Sequence, residues 1–169
     1  MAQFSYNDYL KDFTSKIYES QDLCKLLYYD VSNPLSQPDI ADTTILHTDI
    51  DNQRLLFSPF TLTVEDTRIT KLAVMLNEVD VDDNDYFRYM SITCILACHN
   101  DLWALDESSY QDSRPLLIWD ELELVFNQQY INGLGKDKTS MGTLVYFNNS
   151  YTGYRIIYKG LSLPPRSNG

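Results

Sequence analysis

Arg88-Tyr89-Met90-Ser91-Ile92-Thr93-Cys94-Ile95-Leu96-Ala97-Cys98-His99, running on into Asn100-Asp101-Leu102-Trp103, is the stretch whose reading decides the fold. Met90, Ile92, Cys94, Leu96 and Cys98 alternate onto one apolar face, and Tyr89, Ser91, Thr93, Ile95, Ala97 and His99 onto the other. This period of two predicts a long strand. One dry face and one mixed face predict a place in the middle of a sheet that has helices on one side.

Downstream, a polar loop leads to a helix. Asp112 and Ser113 are N-cap candidates, and Pro115 sits in the first turn, where its missing N–H is harmless. Ile118, Trp119, Leu122, Val125, Phe126 and Tyr130 make a broad apolar face. Asp120, Glu121 and Glu123 fall in the N-terminal half, where the macrodipole favours negative charge, and Asn132-Gly133 supplies the stop. Met141 to Phe147 and Tyr154 to Lys159 then read as the strands of a hairpin, joined by the turn Asn148 to Gly153.

Upstream, residues 5 to 28 read as one helix. Ser5 with Asp8 resembles a capping box, and Leu10, Phe13, Ile17, Cys24 and Leu27 recur at helical steps, with one seven-residue gap at Ser20 and Gln21. Residues 30 to 55 have no clear period, and Asn33-Pro34 and Gln37-Pro38 forbid a helix there. A segment this long is expected to pack on a neighbouring molecule or to order in an assembly. Leu55-Leu56-Phe57 and Phe60 to Val64 read as strands around Pro59, and Thr70 to Leu76 alternates as another. Glu78 to Asp85 reads as an acidic loop.

These elements predict an α+β fold. A mixed, mainly antiparallel sheet is flanked by an N-terminal helix and a second helix over about 114–131, with a C-terminal β-hairpin. A single domain is expected over 1–169, with an irregular excursion at about 30–55 and a flexible tail at about 162–169.

The 169 residues are 44% apolar and 22% charged, an ordinary globular balance. There is no apolar run of about 18 residues, so no membrane span is expected. The N-terminus lacks a basic start and an apolar segment, which points to a chain made and kept in a cytosol. Cys24, Cys94 and Cys98 are an odd number and a poor disulfide framework. Cys94 and Cys98 in one strand have Cα atoms roughly 13 Å apart, too far for a disulfide or a shared tetrahedral metal. All three read as small buried apolar residues. A net charge of −11 disfavours tight nucleic-acid binding, and suits a surface past which nucleic acid slides. The 13 tyrosines suit half-buried interfaces as well as strands.

Catalytic and metal readings fare poorly. Asp80, Asp82 and Asn84 have the first spacings of a calcium loop, but Asp85 stands where glycine is required and Ser91 where the bidentate glutamate is. His99 ends the long strand beside Asn100-Asp101, and His47 lies in the irregular segment, yet no nucleophile elbow or phosphate loop accompanies them. Cys98 and His99 point to opposite faces and make no nucleophile–base pair. Trp103 and Trp119 bracket the loop and helix start and read as core anchors. No enzyme, no metal and no cofactor are expected.

The element order resembles the tail terminator or neck proteins of tailed bacteriophages. The resemblance is carried by the strand Arg88 to His99, by Asn100-Asp101-Leu102-Trp103, and by the helix Arg114-Pro115-Leu116-Leu117-Ile118-Trp119-Asp120-Glu121-Leu122. It covers about half of the chain, and in that family such a strand leads to a helix that begins at an arginine. The excursion at 30–55 is long for the smaller members. The resemblance implies a mixed sheet flanked by helices and a structural virion protein. It further implies a homo-oligomer, a hexameric ring, at the phage neck or tail end. Such a ring ends the tail tube or joins it to the head connector, contacts other neck and tail-tube proteins, and lets DNA pass without specific binding. The protein would be located in the virion after assembly in the host cytoplasm. Glu78, Asp80, Asp82, Asp83 and Asp85 are then expected to face the lumen or a neighbour. Tyr28, Tyr29, Pro34, Pro38, Ile45 and Leu46 are the expected interface. The alternatives are a head-completion or connector protein of the same neck, or a small non-enzymatic adaptor that binds a host protein.

Overall fold

The computed structural model describes residues 6–49, 52–60, 68–81, 88–106, 112–127 and 139–162. The fold is α+β, as the sequence predicts. In chain order the helices are α1 (Tyr6–Glu19), α2 (Gln21–Tyr28), α3 (Ile45–Thr48) and α4 (Arg114–Asn127). The strands are β1 (Leu55–Leu56), β2 (Thr70–Val81), β3 (Arg88–His99), β4 (Ala104–Leu105), β5 (Asp112–Ser113), β6 (Thr139–Tyr146) and β7 (Tyr151–Ser162). Five of them form a mixed sheet in the order β1-β2-β3-β7-β6, in which only the β1–β2 pairing is parallel.

β3 is the middle strand, and its alternation explains its place. Ile92, Cys94 and Leu96 are fully buried in the main core with Leu72 and Val74 of β2 and Ile156 and Tyr158 of β7. The helices supply the other half of that core: Phe13 and Ile17 from α1; Leu23, Cys24, Leu26 and Leu27 from α2; and Ile118, Leu122, Val125 and Phe126 from α4. Phe13 stacks on Phe126, and Tyr158 meets both edge-on, with ring centroids at 6.0 and 5.3 Å. Each such side chain contributes about 1.5–3 kcal/mol by leaving water. On the other face, Ala97 packs in a smaller cluster with Ile69 and Tyr151, beside Phe60 and Phe147.

The helix expected over residues 5–28 is two helices. The chain breaks at Ser20, whose backbone is extended and whose hydroxyl accepts from the Leu23 amide at 3.3 Å, capping α2. The same hydroxyl reaches Glu121 of α4 at 3.4 Å. The gap in the apolar pattern at Ser20 and Gln21 is this break. Ser5 of the expected capping box lies outside the described residues.

The described parts of the segment 30–55 are tied to the chain's own body. One face of α2 zips residues 38–40 to the body. Gln21 exchanges two hydrogen bonds with the Ile40 backbone, Lys25 pairs with Asp39 at 2.7 Å, and the Tyr29 hydroxyl donates to the Pro38 carbonyl at 3.0 Å. Gln21 and Lys25 are one four-residue step apart on the same face of α2, and Tyr29 is the residue just beyond its end. Further along, α3 buries Leu46 in the main core. The Leu46 carbonyl accepts from the Arg54 amide at 2.8 Å, and the Arg54 guanidinium grips Asp30 in two parallel bonds of 2.8 and 2.6 Å.

Arg114 closes the helix layer. It is fully buried, and its guanidinium donates to the carbonyls of Leu26 at 2.7 Å, Tyr29 at 2.9 Å, Leu102 at 2.9 Å and Val31. These carbonyls lie at the end of α2, in the turn beyond it and in the loop after β3. One planar fork therefore fixes α4 to both, and its charge sits at the negative end of α2. The helix begins at Arg114 with Pro115 in its first turn, as predicted. Of Asp112 and Ser113, Ser113 does not cap it through its side chain. They pair as β5 with β4, and the Ser113 hydroxyl is buried without a hydrogen-bond partner among the described residues.

Candidate interaction surface

The expected acidic loop is shorter than the sequence suggests. β2 runs on to Val81, past a register shift between Leu76 and Glu78, and pairs Glu78 with Ser91 and Asp80 with Tyr89 of β3. Glu78 and Asp80 are therefore strand residues. The tertiary pairing extends the strand beyond the point where apolar alternation stops, because β3 supplies partners as far as Arg88. Asp82, Asp83 and Asp85 lie outside the described residues.

The six residues expected at an interface divide by burial. Tyr28 and Pro38 are exposed, Tyr29 and Ile45 are half-buried, and Pro34 and Leu46 are buried. Leu46 belongs to the core, and Pro34 is buried in a short 3-10 turn over Pro34–Ser36, so neither offers its side chain to a neighbour. The reason is the zip along α2, which folds this segment back onto the chain's own apolar surface.

The surface that the sequence reading missed is β6. Met141 is 60% exposed, Leu144 42% and Tyr146 75%. β6 is the last strand of the sheet, bonded to β7 on one side from Thr139 to Tyr146. Its inner packing is set by Gly142. A Cβ there would lie 1.8 Å from the tip of the Trp119 ring, so the indole of α4 lies directly on the strand at this residue. Trp119 donates its N–H to Glu123 at 3.0 Å and packs on Tyr154, which also meets Trp103. Both tryptophans are half-buried around Tyr154. The signal in the sequence was the absence of any charged residue or proline from Thr139 to Phe147.

Among the described residues, the two histidines are held in separate backbone contacts. His99 Nδ1 accepts from the Asp101 amide at 3.2 Å, which caps the short turn after β3 and leaves Asp101 to pair with Arg68 at 3.2 Å. His47 lies elsewhere, with Nδ1 donating to the Leu55 carbonyl at 3.1 Å. The three cysteines are free and buried. Burial pushes the Cys24 thiol up to about 12 and Cys98 to about 11, and raises Cys94 further, so all three are held as thiols. Among the described residues, no cluster of three or more His, Cys, Asp or Glu side chains could hold a metal ion, and no helix is long and apolar enough to cross a membrane.

The model of a family described as YomW matches residues 20–160, most of the chain, and the chain belongs to that family. The family name is that of a phage-type gene product, which associates the chain with a bacteriophage. A search of curated proteins and a search of solved structures each found no match.

Proposed function

We propose that this member of the YomW family is a structural virion protein that works without catalysis. In this reading it forms a ring at the phage neck or tail end. The ring terminates the tail tube or joins it to the head connector, touching other neck and tail-tube proteins while DNA passes through without specific binding. The observation that carries the proposal is the exposed apolar group Met141, Leu144 and Tyr146 on the outermost strand of the sheet. An uncovered apolar edge on a strongly acidic chain invites another protein in place of solvent.

Two further features support the reading. The clamp of Arg114 and the zip along α2 join α4, α2 and residues 38–40 by hydrogen bonds, which suits a part that acts by its shape. The net charge of −11 weakens adhesion to a phosphate backbone, which suits a passage for DNA.

Immunogold labelling of phage particles with an antibody to this chain tests the assignment. Gold at the junction of head and tail is expected. Particles that carry no label, with the protein remaining in the lysate, contradict it and favour an adaptor that acts on a host protein.

A further inference from the structure

We infer that β6 is the joint between subunits, and that its partner is β2 of a second copy of this chain, paired antiparallel so that one sheet continues into the next. The stoichiometry of a ring rests on the reading above. The joint itself rests on the two edges of the sheet.

Among the described residues, β6 is an unguarded edge. Edge strands are normally blunted by a lysine, a proline, a bulge or a covering segment. Thr139-Ser140-Met141-Gly142-Thr143-Leu144-Val145-Tyr146 contains no proline and no charge, and its register with β7 runs without a shift. Successive residues of a strand face opposite sides, so Met141 stands on one face and Leu144 and Tyr146 on the other. A strand added beside β6 would gain backbone hydrogen bonds along its length and apolar contact on both faces.

The opposite side of the sheet offers a strand to add. Among the described residues, β2 has a partner on its outer side only at Leu72 and Ala73, where β1 pairs with it. The rest of β2, residues 74–81, matches the 8 residues of β6 in length. β2 and β7 run one way, and β3 and β6 run the other. In a continued sheet, β6 therefore meets β2 of the next copy antiparallel, the pairing used elsewhere in this sheet. That alignment sets the start of β6 beside the end of β2. In the sequence, Lys136-Asp137-Lys138, with a net charge of one positive, immediately precede β6, while Glu78 and Asp80 lie near the end of β2, so the net charges of the two stretches are opposite.

A two-fold pairing of β6 with β6 lacks this complementarity and leaves both β2 edges open. The head-to-tail joint uses one edge of each kind from every copy. When the rotation between copies closes, a ring of this kind leaves no edge uncovered.

The double variant Met141→Lys/Tyr146→Lys puts charge on two exposed positions of the edge, where the monomer tolerates it. Sedimentation of the purified full chain should lose the oligomer, while circular dichroism and the thermal midpoint of the monomer stay unchanged. A photo-cross-linking amino acid in place of Thr143 should give intersubunit adducts on the peptide that contains residues 70–81. Adducts on β6 peptides or on another surface overturn the inference. So does an oligomer that survives the double variant, or a wild-type chain that stays monomeric at every concentration reached. The two readings fail separately. A ring joined through β6 and β2 but absent from particles removes the neck role alone. Label at the neck together with an assembling double variant removes the joint alone.

Discussion

Gln21 holds both backbone polar groups of Ile40: the side-chain amide donates to the Ile40 carbonyl at 3.1 Å and accepts from the Ile40 amide at 2.9 Å. A side chain on the first turn of α2 thus stands in for the second strand of a ladder. It satisfies a half-buried backbone pair that no secondary structure satisfies. The contact is why an aperiodic segment of sequence can follow a fixed course.

Gln21→Ala therefore leaves a donor and an acceptor without partners, at a cost of about 1–3 kcal/mol. Hydrogen exchange read by mass spectrometry should show faster exchange over residues 38–42 and no change in β3. Equal protection of the Ile40 amide in both proteins contradicts the assignment.

Arg114→Lys keeps the charge but not the planar fork, and an ammonium cannot reach four carbonyls spread over the end of α2, the turn beyond it and the loop after β3. A loss of about 3 kcal/mol or more is expected in urea denaturation, because several charge-assisted hydrogen bonds fail together in a buried site. A loss below about 1 kcal/mol, within the range of a single ordinary hydrogen bond, shows that the clamp is not what holds α4 to α2.

Two glycines respond differently to alanine. At Gly153 a Cβ would lie 2.0 Å from the Leu96 carbonyl oxygen of the neighbouring strand, so the backbone pairing of β3 and β7 must itself shift. At Gly142 the obstacle is the far end of the Trp119 side chain, which can be shortened. Gly153→Ala should prevent folding or destabilise by several times the ~1–3 kcal/mol typical of overpacking. Gly142→Ala should cost about that range, and much less when made in a Trp119→Leu background. Strict additivity of the last pair contradicts the contact.

Stability should fall in alkali. The cysteine thiols are raised from the usual 9.0 to about 11 at Cys98 and about 12 at Cys24 by burial, so the folded state holds these protons more tightly than the unfolded one. That preference is fully present below pH 9 and is lost progressively as pH rises toward the folded values. At pH 8 the native protein should resist thiol reagents, and the urea-unfolded protein should react at all three cysteines. Rapid native labelling contradicts the burial.

Much of the sheet was legible because its signals are local. Ile92, Cys94 and Leu96 alternate in the sequence as they do in the core, and Pro115 marks the start of α4 through its missing donor. The split at Ser20 was visible only as a gap, because a serine that caps one helix looks like a polar position in a longer one. The course of residues 30–55 was not legible, since Gln21, Lys25 and Tyr29 bind atoms 9 to 19 residues away and partly through backbone groups common to every residue. Of the expected interface, Leu46 turned inward for that reason. The exposed edge was missed because Met141, Leu144 and Tyr146 resemble any core strand until the sheet order leaves them on the outside.

Electron microscopy of the purified full chain in negative stain tests the central claim most directly. Class averages should show closed rings of six subunits, each 19.6 kDa, around a central opening wide enough for duplex DNA. Averages that show only single subunits, or open filaments without closure, contradict the account.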